Sequence, residues 1–163
     1  MDKSNFRRLR RDELEEVKPQ FVKFLAVQGY DASAWQALKE NEPGVADGLI
    51  LQFSQTVFQG VIDRIEYLVH RRPNDLRTYK TGPEKIEMRG LLLDGETSVD
   101  FTQSEDLSPQ EIFDRLKTEK VTPKLYSAER AYARGGRAQD IFLIMEEGAL
   151  IDQGELFNTL AGL

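Results

Sequence analysis

Between Phe53 and Lys80 the apolar residues change their spacing, and no other feature constrains the fold as much. Up to Val61 they recur every three or four positions. Ala46, Leu49, Ile50, Phe53, Val57 and Val61 share one face of a helix. From Ile65 onward they alternate: Ile65, Tyr67 and Val69 point one way, and Glu66, Leu68 and His70 the other, as in a strand. A helical half hands over to a sheet. The same stretch turns basic, with net charge +3 over residues 64–90 in a chain of net charge −6. It also holds the only histidine, His70, beside Arg71 and Arg72.

Upstream of the switch, Asp12 with Glu15 three positions on reads as a helix start. Leu14, Val17, Phe21, Phe24 and Leu25 form one apolar stripe, and Pro19 inside it predicts a kink or a restart. Asp31 caps a short helix carrying Trp35 and Leu38, and Pro43 opens the next. Downstream, Pro73-Asn74-Asp75 is a turn, and Leu76–Lys80 and Lys85–Leu93 read as strands. Asp94-Gly95 predicts a hairpin with Ser98–Phe101 returning. Ser108-Pro109-Gln110-Glu111 combines an N-cap, a first-position proline and a capping-box glutamate. Tyr126–Arg134 reads as a short helix, Ile141–Met145 as a buried one, and Glu155–Leu160 as a last one.

These elements predict an α+β fold. N-terminal helices pack on a small antiparallel β-meander of three or four strands, closed by C-terminal helices. The expected organisation is a single globular domain over 1–163. Residues 1–11 form a basic, frayed N-terminus, 12–63 are helical, 64–102 form the meander, and 108–163 are helical again. Trp35, Phe53, Phe58, Tyr67, Phe101, Phe113 and Phe142 are the expected aromatic core.

Composition removes several kinds of chemistry. Without cysteine the chain has no disulfide, zinc-thiolate site, iron–sulfur cluster or cysteine nucleophile. One histidine excludes a multi-histidine metal site. No apolar run approaches the ~18 residues of a membrane span, and the N-terminus lacks the apolar stretch of a signal peptide. The expectation is a cytoplasmic protein without cofactor or metal and without membrane association.

The candidate sites each have a plainer alternative. His70, Arg71, Arg72 and Arg77 could bind phosphate or carboxylate, or they could solvate a strand end. Arg7, Arg8, Arg10 and Arg11 could contact nucleic acid, but an acidic chain disfavours that. The plainer reading is a solvated terminus pairing with Glu13, Glu15 and Glu16. Arg134-Gly135-Gly136-Arg137 could cradle a phosphate at a helix start or act as a hinge. Leu156, Phe157 and Leu160, in an acidic C-terminal stretch, are either core or a docking face for a partner. No catalytic motif is present, and the carboxylates show no acid/base spacing.

The runs FVKFLAVQGYDASAWQALKENEP, LILQFSQTVFQGVIDRIEYLVHRR and EEGALIDQGELFNTL together resemble a family of small, mainly Bacteroidota, bacterial proteins with no assigned function. The residues carrying the resemblance are Phe24, Leu25, Gly29, Trp35, Leu38, Lys39, Pro43, Phe53, Ser54, Tyr67, Leu68, His70, Arg71, Gly148, Leu156 and Phe157. It implies a bacterial, cytoplasmic protein, and no catalytic residue carries over. The functional expectation is a non-enzymatic protein-interaction module, joining another protein or its own copies. The alternative is a binder of a small anion or nucleic acid through the cluster around His70.

Overall fold

The change of period falls on a structural boundary. The computed structural model describes residues 6–163, and these divide into one unit ending at Asp63 and another running Arg64–Leu163. In the first unit α1 (Arg11–Glu16) stops at Val17, and α2 (Lys18–Val27) begins afresh with Pro19 in its first turn. There the missing N–H has no helical partner to lose. Asp31 caps α3 (Ala32–Asn41) by accepting from the Ala34 N–H at 2.7 Å, and Pro43 opens α4 (Pro43–Ile62). Phe21 and Leu25 of α2 pack with Leu9 and Phe53. The Trp35 ring stands edge-on to Phe21, with centroids 5.4 Å apart.

The expected frayed terminus is corrected from Phe6 onward; residues 1–5 lie outside the described residues. Phe6 and Leu9 are buried. The Gln55 side chain holds the Phe6 N–H and C=O at 3.1 and 2.6 Å, and Ser54 Oγ accepts from the Leu9 N–H. Arg7 grips Glu13 through two bonds of 2.7 and 3.0 Å, and Arg8 meets Asp47. The Arg7 bonds hold the Glu13 carboxyl down to about 2. Arg7 and Arg8 therefore lie between the buried Phe6 and Leu9, and Glu13 is the one of the three expected acids that pairs with the arginines among the described bonds.

The second unit is built on a sheet. Strands β1 (Tyr67–Arg71), β2 (Asp75–Thr81) and β3 (Lys85–Leu92) form the expected meander, with register Tyr67↔Lys80 and Asp75↔Leu92. Three expectations need correction. The sheet has five antiparallel strands among the described residues, in the order β4-β3-β2-β1-β5. Ser98–Phe101 is no strand: Val99 and Phe101 are buried in the core, and Glu119 holds the Ser98 N–H at 2.8 Å. Residues 108–163 are not all helical. After α5 (Pro109–Thr118), the expected short helix is strand β4 (Lys124–Ala131), and β5 (Leu150–Asp152) follows α6 (Gly136–Glu146). Helix α7 (Glu155–Ala161) ends the chain.

Alternation places Val69, Leu76 and Leu91 on one sheet face. They meet Ile112 and Leu116 of α5 and Leu156 and Leu160 of α7. The other face carries Leu68, Tyr79 and Met88 in one register row, and α6 lies along it. Arg137 in the first turn of α6 donates to the carbonyls of Ile65 at 2.7 Å and Gly82 at 3.3 Å, which fixes that end of the helix. At the other end Gly148 abuts His70. Among the described residues, no helix is long and apolar enough to cross a membrane.

Candidate functional site

The register places His70, Arg77, Gly90 and Tyr126 in one row across β1, β2, β3 and β4, on the α6 face. Gly90 has a steric reason to be glycine: a Cβ there would sit 2.0 Å from Cζ of Tyr126. The phenol ring lies flat over the bare backbone, and its hydroxyl reaches β2. Tyr126 O–H donates to Asp75 Oδ1. Arg77 Nε–H donates to Asp75 Oδ2 at 3.2 Å and to the Tyr126 oxygen at 3.3 Å. Burial, reinforced by the Asp75 bond, pushes the Tyr126 hydroxyl up to about 12. The bond to Tyr126 is the main cause that raises Arg77. Tyr126 is thus a hydrogen-bond donor at neutral pH, and Asp75 an acceptor already engaged by two donors. The triad fastens β4 to β2 across β3.

His70 completes the row. Burial first, then the positive charges of Arg72 and Arg77, lower its pKa from the usual 6.5, so the imidazole is neutral at pH 7. Its Nε2 would lie 3.2 Å from a Cβ at Gly148, which has φ +120°. A side chain at 148 would meet both strain and a close contact.

The four expected anion ligands are not brought together. His70 and Arg77 share one face, while strand alternation sends Arg71 to the other. There its Nη1 is buried without a hydrogen-bond partner. Arg72 belongs to the exposed turn, where its N–H donates to the Asp75 carbonyl at 2.9 Å. The structure places Leu156, Phe157 and Leu160 in the core, each 7% exposed or less, rather than on a docking face. Arg137 of the Gly-Gly segment points inward to carbonyls rather than to a helix-start anion site. Among the described residues, no group of three or more His, Cys, Asp or Glu could hold a metal ion.

A different surface emerges at β4. It is the first strand of the sheet, pairs with β3 over eight consecutive positions without a bulge, and is exposed along most of its length. The ladder parity tells which backbone groups are free. The Gly82 N–H donates to the Lys85 carbonyl, and alternation from there assigns Ile86, Met88, Gly90 and Leu92 to bonding with β4. The N–H and C=O groups of Leu125, Ser127, Glu129 and Ala131 therefore point away from the sheet. Charged side chains often blunt such an edge. Here each is tied back: Lys124 to Asp94 (3.3 Å), Glu129 to Lys85 (3.0 Å) and Arg130 to the buried Asp140 (2.7 Å).

Beside this edge runs a groove of about 430 Å³. Tyr79, Met88 and Ala128 line the sheet side. Leu143 and Ile144 of α6, with Glu147 just past its end, form the opposite wall. Reading β4 as a helix hid both the edge and the groove. One signal pointed to them: an isolated glycine inside a strand pattern marks a close approach, and Gly90 is such a residue.

Fold and site together define an α+β protein whose C-terminal sheet ends in an open strand beside a groove with an apolar floor and a charged rim. The chain belongs to DUF6495, a family of unknown function whose model matches residues 3–163. No curated protein and no solved structure matches the chain.

Proposed function

We propose that this chain is a non-enzymatic protein-interaction module that works by strand addition at β4. The observation that carries the reading is an edge whose outward backbone groups at Leu125, Ser127 and Glu129, with the Ala131 N–H, face away from the sheet, while its charged side chains pair at the surface with Asp94, Lys85 and Asp140 of the same chain. An added strand gains main-chain hydrogen bonds for affinity, and alternate side chains meet the α6 groove for selectivity. Side chains opposite Ala128 and Arg130 would point to the groove face. We place this activity in the bacterial cytoplasm, following the resemblance above.

The test is amide hydrogen exchange on assemblies purified from source cells, against the isolated chain at low concentration. Slowed exchange at Leu125, Ser127, Glu129 and Ala131 is expected in the assembly. If those amides exchange as fast in the assembly as in isolation, strand addition at β4 is wrong.

A second reading rests on Arg71. A buried guanidinium nitrogen without a partner favours an anion completing it. Titration calorimetry with inorganic phosphate should then show binding that Arg71→Met removes. No heat with the wild-type chain would refute it.

A further inference from the structure

We infer that the partner at β4 is a second copy of the same chain, added antiparallel about a two-fold axis through Ala128. This rests on the strand-addition reading above and specifies its occupant.

A two-fold axis normal to the sheet keeps each face on its own side, so the residue numbers of facing positions sum to an even value. The axis then passes through a single residue of β4, and the pattern Lys124-Leu125-Tyr126-Ser127-Ala128-Glu129-Arg130-Ala131 selects which. A centre on Glu129 or Arg130 sets identical charges face to face, which destabilises a sheet. A centre on Ser127 sets Lys124 against Arg130. A centre on Tyr126 shortens the overlap and opposes two phenols, each held over its own Gly90. The centre on Ala128 has none of these faults. It sets Leu125 against Ala131, Tyr126 against Arg130, Ser127 against Glu129, and Ala128 against itself.

That register also agrees with the hydrogen-bond parity. The outward residues Leu125, Ser127, Glu129 and Ala131 pair with one another, so every free N–H and C=O of the edge finds a partner. Ala128, whose own backbone groups face β3, meets its mate at a non-hydrogen-bonded position, where side chains come closest. Methyl groups fit that spacing. Because Ala128 also lines the α6 groove, the grooves of the two copies adjoin at the axis.

The absence of native cysteine gives a direct test. Non-hydrogen-bonded antiparallel pairs have Cα atoms about 4.5 Å apart, within the range a disulfide bridges. The full-length Ala128→Cys variant should form a disulfide-linked dimer under mild oxidation. Ala131→Cys, which faces Leu125, should stay reduced under the same conditions. Sedimentation velocity of the wild-type chain should show a dimer. Ala128→Lys should shift it to monomer with unchanged exchange protection of the β1, β2 and β3 amides. A wild-type chain that stays monomeric up to submillimolar concentration overturns the inference, as does equal cross-linking at 131 and 128. If a monomeric chain still gains exchange protection on β4 from another protein, the homodimer falls and strand addition stands. If β4 amides exchange freely in every assembly, both fall.

Discussion

Replacing Gly90 with alanine should destabilise the C-terminal unit by about 2–4 kcal/mol, although alanine is ordinarily the better residue in a strand. The new Cβ would stand 2.0 Å from Cζ of Tyr126 and 2.4 Å from both Cε atoms. Ordinary contact begins near 3.4 Å, so the ring must retreat by about 1.4 Å. The hydroxyl then leaves Asp75, and Arg77 loses one of its two acceptors. Bonds to charged groups are worth about 1.5–3 kcal/mol, and Asp75 is too buried to recover all of that from water. Crowding adds about 1–3 kcal/mol, and the entropy lost by glycine on folding returns about 0.5–1 kcal/mol. Trp35, the single tryptophan, sits in the other unit, so fluorescence would miss the effect. Hydrogen exchange of β3 and β4 amides in the folded state reads it directly. The decisive comparison is a double-mutant cycle. With Tyr126→Ala already in place the clash is gone, and Gly90→Ala should become stabilising by about 0.5 kcal/mol. A neutral Gly90→Ala in the wild-type background, or the same penalty without Tyr126, would refute the account.

Three further outcomes follow from the same geometry. His70 resists protonation in the fold, so the stability of the C-terminal unit should fall as pH drops below about 6.5 and level off below the folded pKa; His70→Gln should flatten that slope in pH-dependent exchange, and an NMR titration midpoint at or above 6.5 would contradict it. Glu13, held down to about 2 by Arg7, contributes stability above about 4.5 that is lost as pH falls toward 2. After screening, Glu13→Gln should cost about 1–2 kcal/mol at neutral pH and little at pH 2, followed by Trp35 fluorescence during urea unfolding. Ser108→Ala removes the hydroxyl that accepts from the Glu111 N–H, which should cost about 1 kcal/mol and fray the first turn of α5 in exchange measurements.

The parts legible in the sequence are those where local chemistry and tertiary packing agree. The start of α5 is one: Ser108 and Glu111 make both bonds of the capping box, as their spacing requires. The restart at Pro19 and the three-strand meander are others. The failures come where packing overrides local preference. Tyr126–Arg134 is rich in alanine, glutamate and arginine, all good helix formers. Its residues up to Ala131 fold as a strand because β3 offers a ladder and Gly90 a notch for Tyr126. An edge strand exposed on both faces also has little apolar alternation to show. Asp94-Gly95 looked like a hairpin because both residues tolerate positive φ, and Gly95 does adopt φ +101°. The chain bends at Gly95 without closing a hairpin, and it leaves the sheet to bury Val99 and Phe101. The basic cluster misled because neighbours in sequence alternate between faces in a strand, which separates Arg71 from His70.

The order of strands has a consequence for how the chain assembles. The meander joins neighbours through short turns, so its contacts close early. Both flanking strands arrive late: β4 reaches β3 only after the segment holding α5, and β5 reaches β1 from the far side of α6. During synthesis the edge of β3 lies bare until Lys124–Ala131 has emerged. In that interval any β4 strand can occupy it, including one from a neighbouring nascent chain. Once Lys124–Ala131 pairs with β3, the Tyr126 ring covers Gly90 and that edge is closed.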